Sequence, residues 1–428
     1  MSGPMHGTTD RPERQATLTG SNPFPPMTAF RANNERDRTD SVSQHAKPTR
    51  DRLLMVAFND VDYDGRVQRA AETLADRYRV TVLGIGSARG GPEADYEVRS
   101  VPLDRIRPAP LRHVVFWLHV WREALRLRPR VIYAHDYYMA FPGLVAARLV
   151  EARLVYDAHE LIIPEPGVRL GLRRRLFYRL ERWVVGRTDA IIAANEERAA
   201  LMSDHYQLPM TPHVVRNIPP EPVPRLTRPE VEELYPLLRR SDPGRIRLVY
   251  QGALDMRRGI APFVAAMPLL DDRFELILIG GGPDEARLRQ EVEAAGITER
   301  VHFLGRIRRD QLHDVLRCCD IGIVTYSARG LNNIYCAPNK LYEYTQAGIP
   351  VIATCQPPLR AALERWRVGL TVGCGPEAVP TPTEIADTVR HLVEGLAEFR
   401  QAIPAFLEEN NWRGERAALL AAIEEAVA

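Results

Sequence analysis

One stretch of this chain, PNKLYEYTQAGIPVIAT (residues 338–354), gathers the residue types that anion chemistry needs. Pro338 and Asn339 suit a helix start, and Gly348-Ile349-Pro350 ends the helix ahead of a strand. The free N–H groups and positive dipole end of such a helix make a seat for phosphate. Lys340 falls in the first turn, where the macrodipole disfavours a cation. Of 57 Lys and Arg residues only two, Lys47 and Lys340, are lysines. A lysine kept at an unfavourable position in an arginine-rich chain points to a compact charge aimed at an anion. Glu343 lies one turn further on roughly the same face; an ordinary surface Lys–Glu pair would have the same spacing.

Three other constellations could do chemistry. Gly280-Gly281-Gly282 follows the run FELILI and precedes EARLRQEVEAA, where missing side chains would admit a ligand to the backbone or make a packing turn. His135-Asp136 and His159-Glu160 each follow a strand-like run, and two histidines on neighbouring strands suggest a site more than either alone does. No carboxylate pair with a hydrolase-like arrangement stands out. DVDYDG (Asp60, Asp62, Asp64, Gly65) invites a calcium-loop reading, but the twelfth position is Ala71 and Glu72 falls one residue late. It follows a strand rather than a helix, so no metal site is expected.

The elements that must position these residues are short apolar runs separated by helix-length segments. RLLMVAF, VTVLGIG, RVIYAHD, ARLVYDAHE and DAIIAAN come first. RIRLVYQG, FELILIGGG, VHFLG, DIGIVTY, IPVIAT and GLTVG follow. Such alternation predicts parallel sheets covered by helices on both faces. Residues 219–243 hold seven prolines and read as a linker with one short helix, PEVEELYPLL. The expected organisation is a disordered tail (1–50), a Rossmann-like domain (51–218), a Pro-rich linker (219–244), a second Rossmann-like domain (245–405) and a C-terminal helix (406–428). Ligands of open parallel sheets bind beyond the carboxyl ends of the strands, which is where the motifs fall.

Composition narrows the class. Apolar residues are 45% and charged residues 26% of 428, which excludes a wholly disordered chain and a multi-span membrane protein. A net charge of +2 is too even for a nucleic-acid binder. The cysteines (Cys318, Cys319, Cys336, Cys355, Cys374) form an odd set with no C-x-x-C spacing, so neither a disulfide framework nor a zinc site is expected, and a reducing cytoplasm fits. No apolar run is long enough to span a bilayer. Two segments still hint at a membrane surface. RLGLRRRLFYRLERWVVGR (169–187) carries seven arginines against one glutamate, and LRHVVFWLHVW (111–121) is apolar nearly all round a helix. Helices buried on a sheet with snorkelling arginines would read the same way.

The motifs QGALDMRRGI, LILIGGGPDE, VHFLG and PNKLYEYTQAGIPVIAT, in that order, resemble the donor half of GT-B glycosyltransferases, in particular glycosyltransferase family 4. The DGRV loop, AHD, DAHE and VVRN resemble its first half, so the likeness runs from residue 52 to about residue 425. It implies an α/β fold of GT-B architecture, two doubly wound Rossmann-like domains facing across a cleft. It also implies that Glu343 grips the ribose of a sugar nucleotide and that Arg258, with Lys340 and the helix N-terminus, holds the diphosphate. Gly252, Gly280, Gly281, Gly282, Arg306 and Asn339 would complete the donor site. His159 would face the reacting sugar carbon, with Asp64, Gly65, His135, Asp136 and Glu160 on the acceptor side. Two positions depart from the pattern: Ala253 replaces a second base and Tyr335 replaces an acidic residue eight before the ribose glutamate.

The expected activity is that of a retaining, metal-independent glycosyltransferase using a nucleotide-diphosphate sugar, with no cofactor and no nucleic-acid partner. The acceptor is open: a glycan, a lipid-linked sugar or a secondary metabolite. The expected place is the cytoplasm, with peripheral contact at an anionic inner membrane face. Two rivals are a sugar-nucleotide epimerase of similar architecture and a non-catalytic partner subunit.

Overall fold

In RLLMVAFND both faces of the strand are buried: Leu54 and Val56 lie under one helical layer, Leu53 and Met55 under another. The computed structural model describes residues 50–86, 95–165, 167–239, 244–375 and 379–428. The expected N-terminal tail lies outside the described residues except for its last position.

Seven parallel strands form the first sheet: β1 (Arg52–Asp60), β2 (Arg79–Ile85), β3 (Glu97–Val101), β4 (Val131–His135), β5 (Arg153–Ala158), β6 (Ala190–Ala193) and β7 (His213–Val214). Their order is β3-β2-β1-β4-β5-β6-β7. Five helices follow strands of this sheet: α1 (Gly65–Ala75), α2 (Ala109–Leu127), α3 (Tyr137–Val150), α4 (Leu172–Val185) and α5 (Glu196–Tyr206). Phe116 of α2, Met139 of α3 and Val184 of α4 share one core layer, while Val67 and Leu74 of α1 cover the opposite face.

After the linker helix α6 (Arg228–Leu234), a six-stranded sheet is built from β8 (Ile246–Gln251), β9 (Phe274–Ile279), β10 (Val301–Gly305), β11 (Ile321–Val324), β12 (Val351–Thr354) and β13 (Gly369–Val372). Its order is β10-β9-β8-β11-β12-β13, all parallel. Its helices are α7 (Ala261–Ala266), α8 (Glu285–Ala294), α9 (Arg309–Leu316), α10 (Leu331–Ile334), α11 (Asn339–Gln346), α12 (Pro357–Trp366), α13 (Pro382–Glu394) and α14 (Leu396–Glu409). The C-terminal helix α15 (Trp412–Val427) returns to the first sheet, burying Leu419, Ala422 and Ile423 beside Val67. Position 405 thus lies within α14, and the crossing back occurs a few residues later.

In each sheet the strand order reverses beside the first strand, between β1 and β4 and between β8 and β11. The crevices open there, at the carboxyl ends.

One expectation is corrected. Cys355 and Cys374 form a disulfide across the ends of the paired strands β12 and β13, with Cα atoms 5.2 Å apart. They are 19 residues apart in sequence, so no short spacing announces them. Pairing of neighbouring parallel strands brings them together. Cys318, Cys319 and Cys336 are buried thiols.

Candidate functional site

The first sheet delivers a charged cluster to its carboxyl edge. Asp157, buried near the end of β5, is bound by Arg66 Nη2 at 2.7 Å and by the Tyr133 hydroxyl at 3.0 Å. His159 Nε2 lies 3.4 Å from it. Arg66 reaches it from the first turn of α1 and also donates to the Val215 carbonyl at 2.8 Å. Burial opposes the charge, but Arg66 and His159 hold the Asp157 carboxyl well below the usual range. At His159 burial acts the other way, yet the charge of Asp157 outweighs it and raises the imidazole pKa. His135 Nδ1 shares a 3.0 Å hydrogen bond with His159. Burial, then the neighbouring His159 charge, push His135 down to about 3. The pair therefore divides: His159 is the one that takes a proton, and His135 stays neutral behind it.

His135, Asp157 and His159 are close enough to share one cation. Arg66, however, forks onto both oxygens of Asp157 and supplies the positive charge at that point.

Two further carboxylates shape this side. Asp136, just beyond β4, adopts φ 65°, a left-handed conformation that costs a non-glycine residue about 1–3 kcal/mol. Its side chain accepts the Glu160 N–H at 3.3 Å, and burial pushes the carboxyl up to about 7. Asp64 caps α1, accepting from the N–H groups of Arg66 and Val67 at 3.1 and 3.2 Å. Asp60 accepts the Asp62 N–H at 3.1 Å. Two carboxylates of DVDYDG thus serve the backbone of their own loop.

Across the cleft, α11 starts at Asn339, and Lys340 points its ammonium at aromatic faces, 5.1 Å from the Tyr250 ring centroid and 5.9 Å from that of Tyr326. Burial, then the nearby Arg258 charge, lower its pKa to about 8. Glu343 does not pair with it; its carboxylate accepts from Gln251 Nε2 at the end of β8. The surface-pair alternative is thereby set aside. Burial raises the Glu343 pKa, opposed by Arg309 and by the Gln251 hydrogen bond. Arg257 forks onto Asp255 at 2.6 Å, whereas its neighbour Arg258 forms no ion pair among the described residues. Two cations near one helix N-terminus, without carboxylate partners, are set out for an anionic ligand.

The three glycines divide in role. A Cβ on Gly280 would sit 2.0 Å from the Gly252 carbonyl oxygen, and one on Gly282 would sit 2.3 Å from that of Leu254. Both let the loops after β8 and β9 pack backbone to backbone. Gly281 is left facing the cavity beside Arg306. A Cβ on Gly252 would come within 3.0 Å of Lys340 Nζ.

What holds the two sides together is the segment 331–336. Arg198 of α5, buried, donates to the carbonyls of His159 at 2.5 Å, Tyr335 at 2.6 Å and Asn332 at 3.1 Å. Asn332 pairs reciprocally with the backbone of Leu161, at 2.6 and 2.9 Å. Glu165 accepts the Leu331 N–H at 3.2 Å. Tyr335, at the position where an acidic residue was expected, thus contributes its carbonyl to this contact.

The result is a cleft of about 740 Å³ lined by Asp64, Gly65, His159, Glu160, Arg258 and Asn339, among others. It continues into a second hollow of about 720 Å³ lined by Gly252, Gly280, Gly281, Arg306, Lys340 and Glu343. Tyr63, Asn217, Tyr326, Ala337 and Asn339 line both. Three residues expected at the site line neither. His135 is covered by His159, Asp136 holds the Glu160 backbone, and Gly282 packs on Leu254. Sequence reading missed Asp157, Arg66, Arg198 and Asn332. The first carried a signal, a carboxylate inside an apolar strand, which needs a buried partner. Arg198 looks like any other helical arginine.

Comparison with known proteins bears on this cleft. Residues 245–395 match the family described as Glycosyl transferases group 1, and residues 65–218 match the Glycosyl transferase 4-like domain. Among curated proteins, the 2-deoxystreptamine glucosyltransferase of Streptomyces kanamyceticus is 24% identical over 281 residues, covering 60% of this chain and 72% of that protein. The glycogen synthase of Mycobacterium tuberculosis is 23% identical over 278 residues, covering 63% of this chain and 61% of that one. Among solved structures, HepE of Anabaena in complex with UDP and glucose superposes with a TM-score of 0.69 at 16% identity, covering 87% of this chain and 99% of that chain. WaaG, a glycosyltransferase involved in lipopolysaccharide biosynthesis, gives 0.63 at 17% identity, with 83% and 95% covered. At such identities these structures establish the GT-B fold.

Proposed function

The chain belongs to the group 1 glycosyltransferases, and on that premise we propose that it transfers a sugar, with retention of configuration and without a metal ion, from a nucleotide-diphosphate sugar to an acceptor in the cleft. One observation carries the donor reading: Lys340 and Arg258, neither in an ion pair among the described residues, lie close to each other, Lys340 lining the hollow with the Glu343 carboxylate one helical turn away and Arg258 lining the adjoining cleft. A nucleoside diphosphate offers that arrangement what it lacks. Its phosphates meet the two cations and the N-terminus of α11, and its ribose hydroxyls meet Glu343.

Leaving-group departure concentrates negative charge on the diphosphate. Lys340 and Arg258 are positioned to stabilise that charge without the reorganisation water would need. His159, carrying its proton through Asp157, lines the cleft opposite them. Its Nε2 is held by His135 and Asp157, which leaves the Nδ1 N–H as the donor to the donor sugar or to the leaving oxygen. Asp157 positions that imidazole from beneath the cleft, and Arg66, which holds Asp157, also lines the cleft. Retention is carried over from the family, and metal independence rests on cations supplied by the chain itself. HepE is named in complex with UDP and glucose, which makes uridine diphosphate the first base to try. The epimerase and partner-subunit rivals draw no support from the relatives, which are named as transferases and synthases.

No helix among the described residues is long and apolar enough to cross a membrane. The proposed place is an inner membrane face; the Cys355–Cys374 disulfide removes the cysteine argument for a reducing cytoplasm. Screening thermal stabilisation by nucleoside diphosphates, then by their sugars, tests the reading. A ligand at a hundred times its dissociation constant adds about 2.7 kcal/mol, a clear shift. No stabilisation by any of them would refute it.

A further inference from the structure

Two helices of the first domain leave apolar side chains in solvent along one stripe each. On α2 the exposed positions are Leu111, Val114, Leu118 and Leu125, the last two 55% and 52% exposed. On α4 they are Leu172, Leu176 and Trp183, with Leu172 86% exposed. Both sets follow helical spacing, and the slot left open in each is an exposed arginine, Arg122 and Arg179. These helices flank α3 in one layer. Phe141 of α3 touches Trp117 of α2 at 5.3 Å and Trp183 of α4 at 6.0 Å between ring centroids, joining the stripes.

The charge of this face is one-sided. None of the seven arginines between 169 and 187 is in an ion pair among the described residues, although most ion pairs elsewhere use an arginine. The one acidic residue of that segment, Glu181, is buried and accepts from Tyr156 and Tyr206. An exposed helix that pairs none of its arginines and keeps leucine and tryptophan between them offers its charge to a partner outside the chain.

From this juxtaposition we infer that the α2–α4 face docks on a lipid bilayer carrying anionic headgroups, deepening the function proposed above by bringing the transferase cleft to a membrane-borne acceptor. Leucine and tryptophan side chains enter the headgroup boundary while the arginine stems lie along it and their guanidinium groups reach lipid phosphates. A second copy of the chain is a poor occupant, because a two-fold contact would set one arginine-rich patch against another. A folded protein partner needs a core depleted of charge, which this interleaved surface lacks. The face also leads to the cleft. Arg173 of α4 donates to the Tyr138 hydroxyl at 3.0 Å, and two residues earlier Asp136 holds the backbone of Glu160, which lines the cleft.

Flotation of the full chain with vesicles of phosphatidylcholine, alone or mixed with phosphatidylglycerol, tests this. Binding is expected to the mixed vesicles only, and to fall with salt. A variant carrying Arg174→Gln, Arg179→Gln and Arg182→Gln should partition roughly a hundredfold less, at about fivefold per arginine. Leu118→Glu with Leu176→Glu should lower binding at constant net arginine count. Unchanged circular dichroism and melting of both exposed-face variants shows that they are folded. Equal recovery with neutral and anionic vesicles, absence from both, or unchanged flotation of the variants overturns the inference. Uridine diphosphate affinity measured on the same preparations reports separately on the transferase reading, since none of these residues lines the cleft.

Discussion

The state of Lys340 gives a prediction that few other arrangements would make. Its ammonium lies among the Tyr250 and Tyr326 rings with Arg258 nearby, and burial and that charge together bring its pKa to about 8. If the charged form holds the diphosphate, affinity should be flat from about pH 7 to about pH 8. It should then fall about tenfold per pH unit, equivalent to about 1.4 kcal/mol per unit. The ligand cannot mimic this, because its last phosphate proton is lost near pH 6. The free protein should respond in the opposite sense. A cation whose folded pKa is depressed binds fewer protons than it does unfolded, so between the folded pKa near 8 and the ordinary lysine value stability rises with pH. Calorimetric titration with uridine diphosphate across this range is the assay, and Lys340→Arg is the control. A guanidinium stays charged, so the break near 8 should vanish in the variant. Its wide planar head does not fit the place of a compact ammonium between two rings, so turnover should drop by roughly a hundredfold, about 2.7 kcal/mol. Affinity that stays flat up to about pH 9 in the wild type would refute the assignment of Lys340 to the diphosphate.

Other consequences follow from particular residues. Asp157→Asn leaves the half-buried Arg66 at the cleft wall without its carboxylate and should destabilise the fold by about 3 kcal/mol in chemical denaturation; a change below about 1 kcal/mol would mean that the pair contributes little. Arg258→Gln should weaken diphosphate binding at least tenfold, a loss of about 1.4 kcal/mol or more. Arg257→Gln should change it little, because Arg257 is spent on Asp255. Equal effects would remove the distinction between the two. EDTA should leave turnover nearly intact, and strict dependence on magnesium or manganese would reassign the charge stabilisation to a cation.

The sheets were legible because both their faces are buried. Runs such as RLLMVAF and FELILI have no polar alternation, and helix-length spacers leave parallel pairing as the way to join them. β3 escaped notice because EVRSV is an edge strand with only Val101 buried, so its composition looks like a loop. β7 is two residues long. The residues that line the hollow, Lys340 and Glu343, were visible through their position at a helix start. Those that hold the site were not. Arg198 acts through carbonyls of residues far away in sequence, and carbonyls leave no mark in a sequence. Asp157 stood in the DAHE motif, but only the fold shows that Arg66 and Tyr133 converge on it. The disulfide failed the spacing rule for the same reason, since strand pairing and not sequence proximity creates it.

Glu343, beside Lys340, is proposed to make this hollow a nucleoside diphosphate site. Isothermal titration of uridine diphosphate into the wild type and into Glu343→Gln tests it most directly. The substitution keeps the shape and removes the charge that strengthens the hydrogen bonds to the ribose, each worth about 1.5–3 kcal/mol. Saturable one-to-one binding is expected for the wild type, with an affinity lower by roughly tenfold to a hundredfold in the variant. Equal affinity in the two proteins would contradict it, leaving Glu343 as a partner of Gln251 alone.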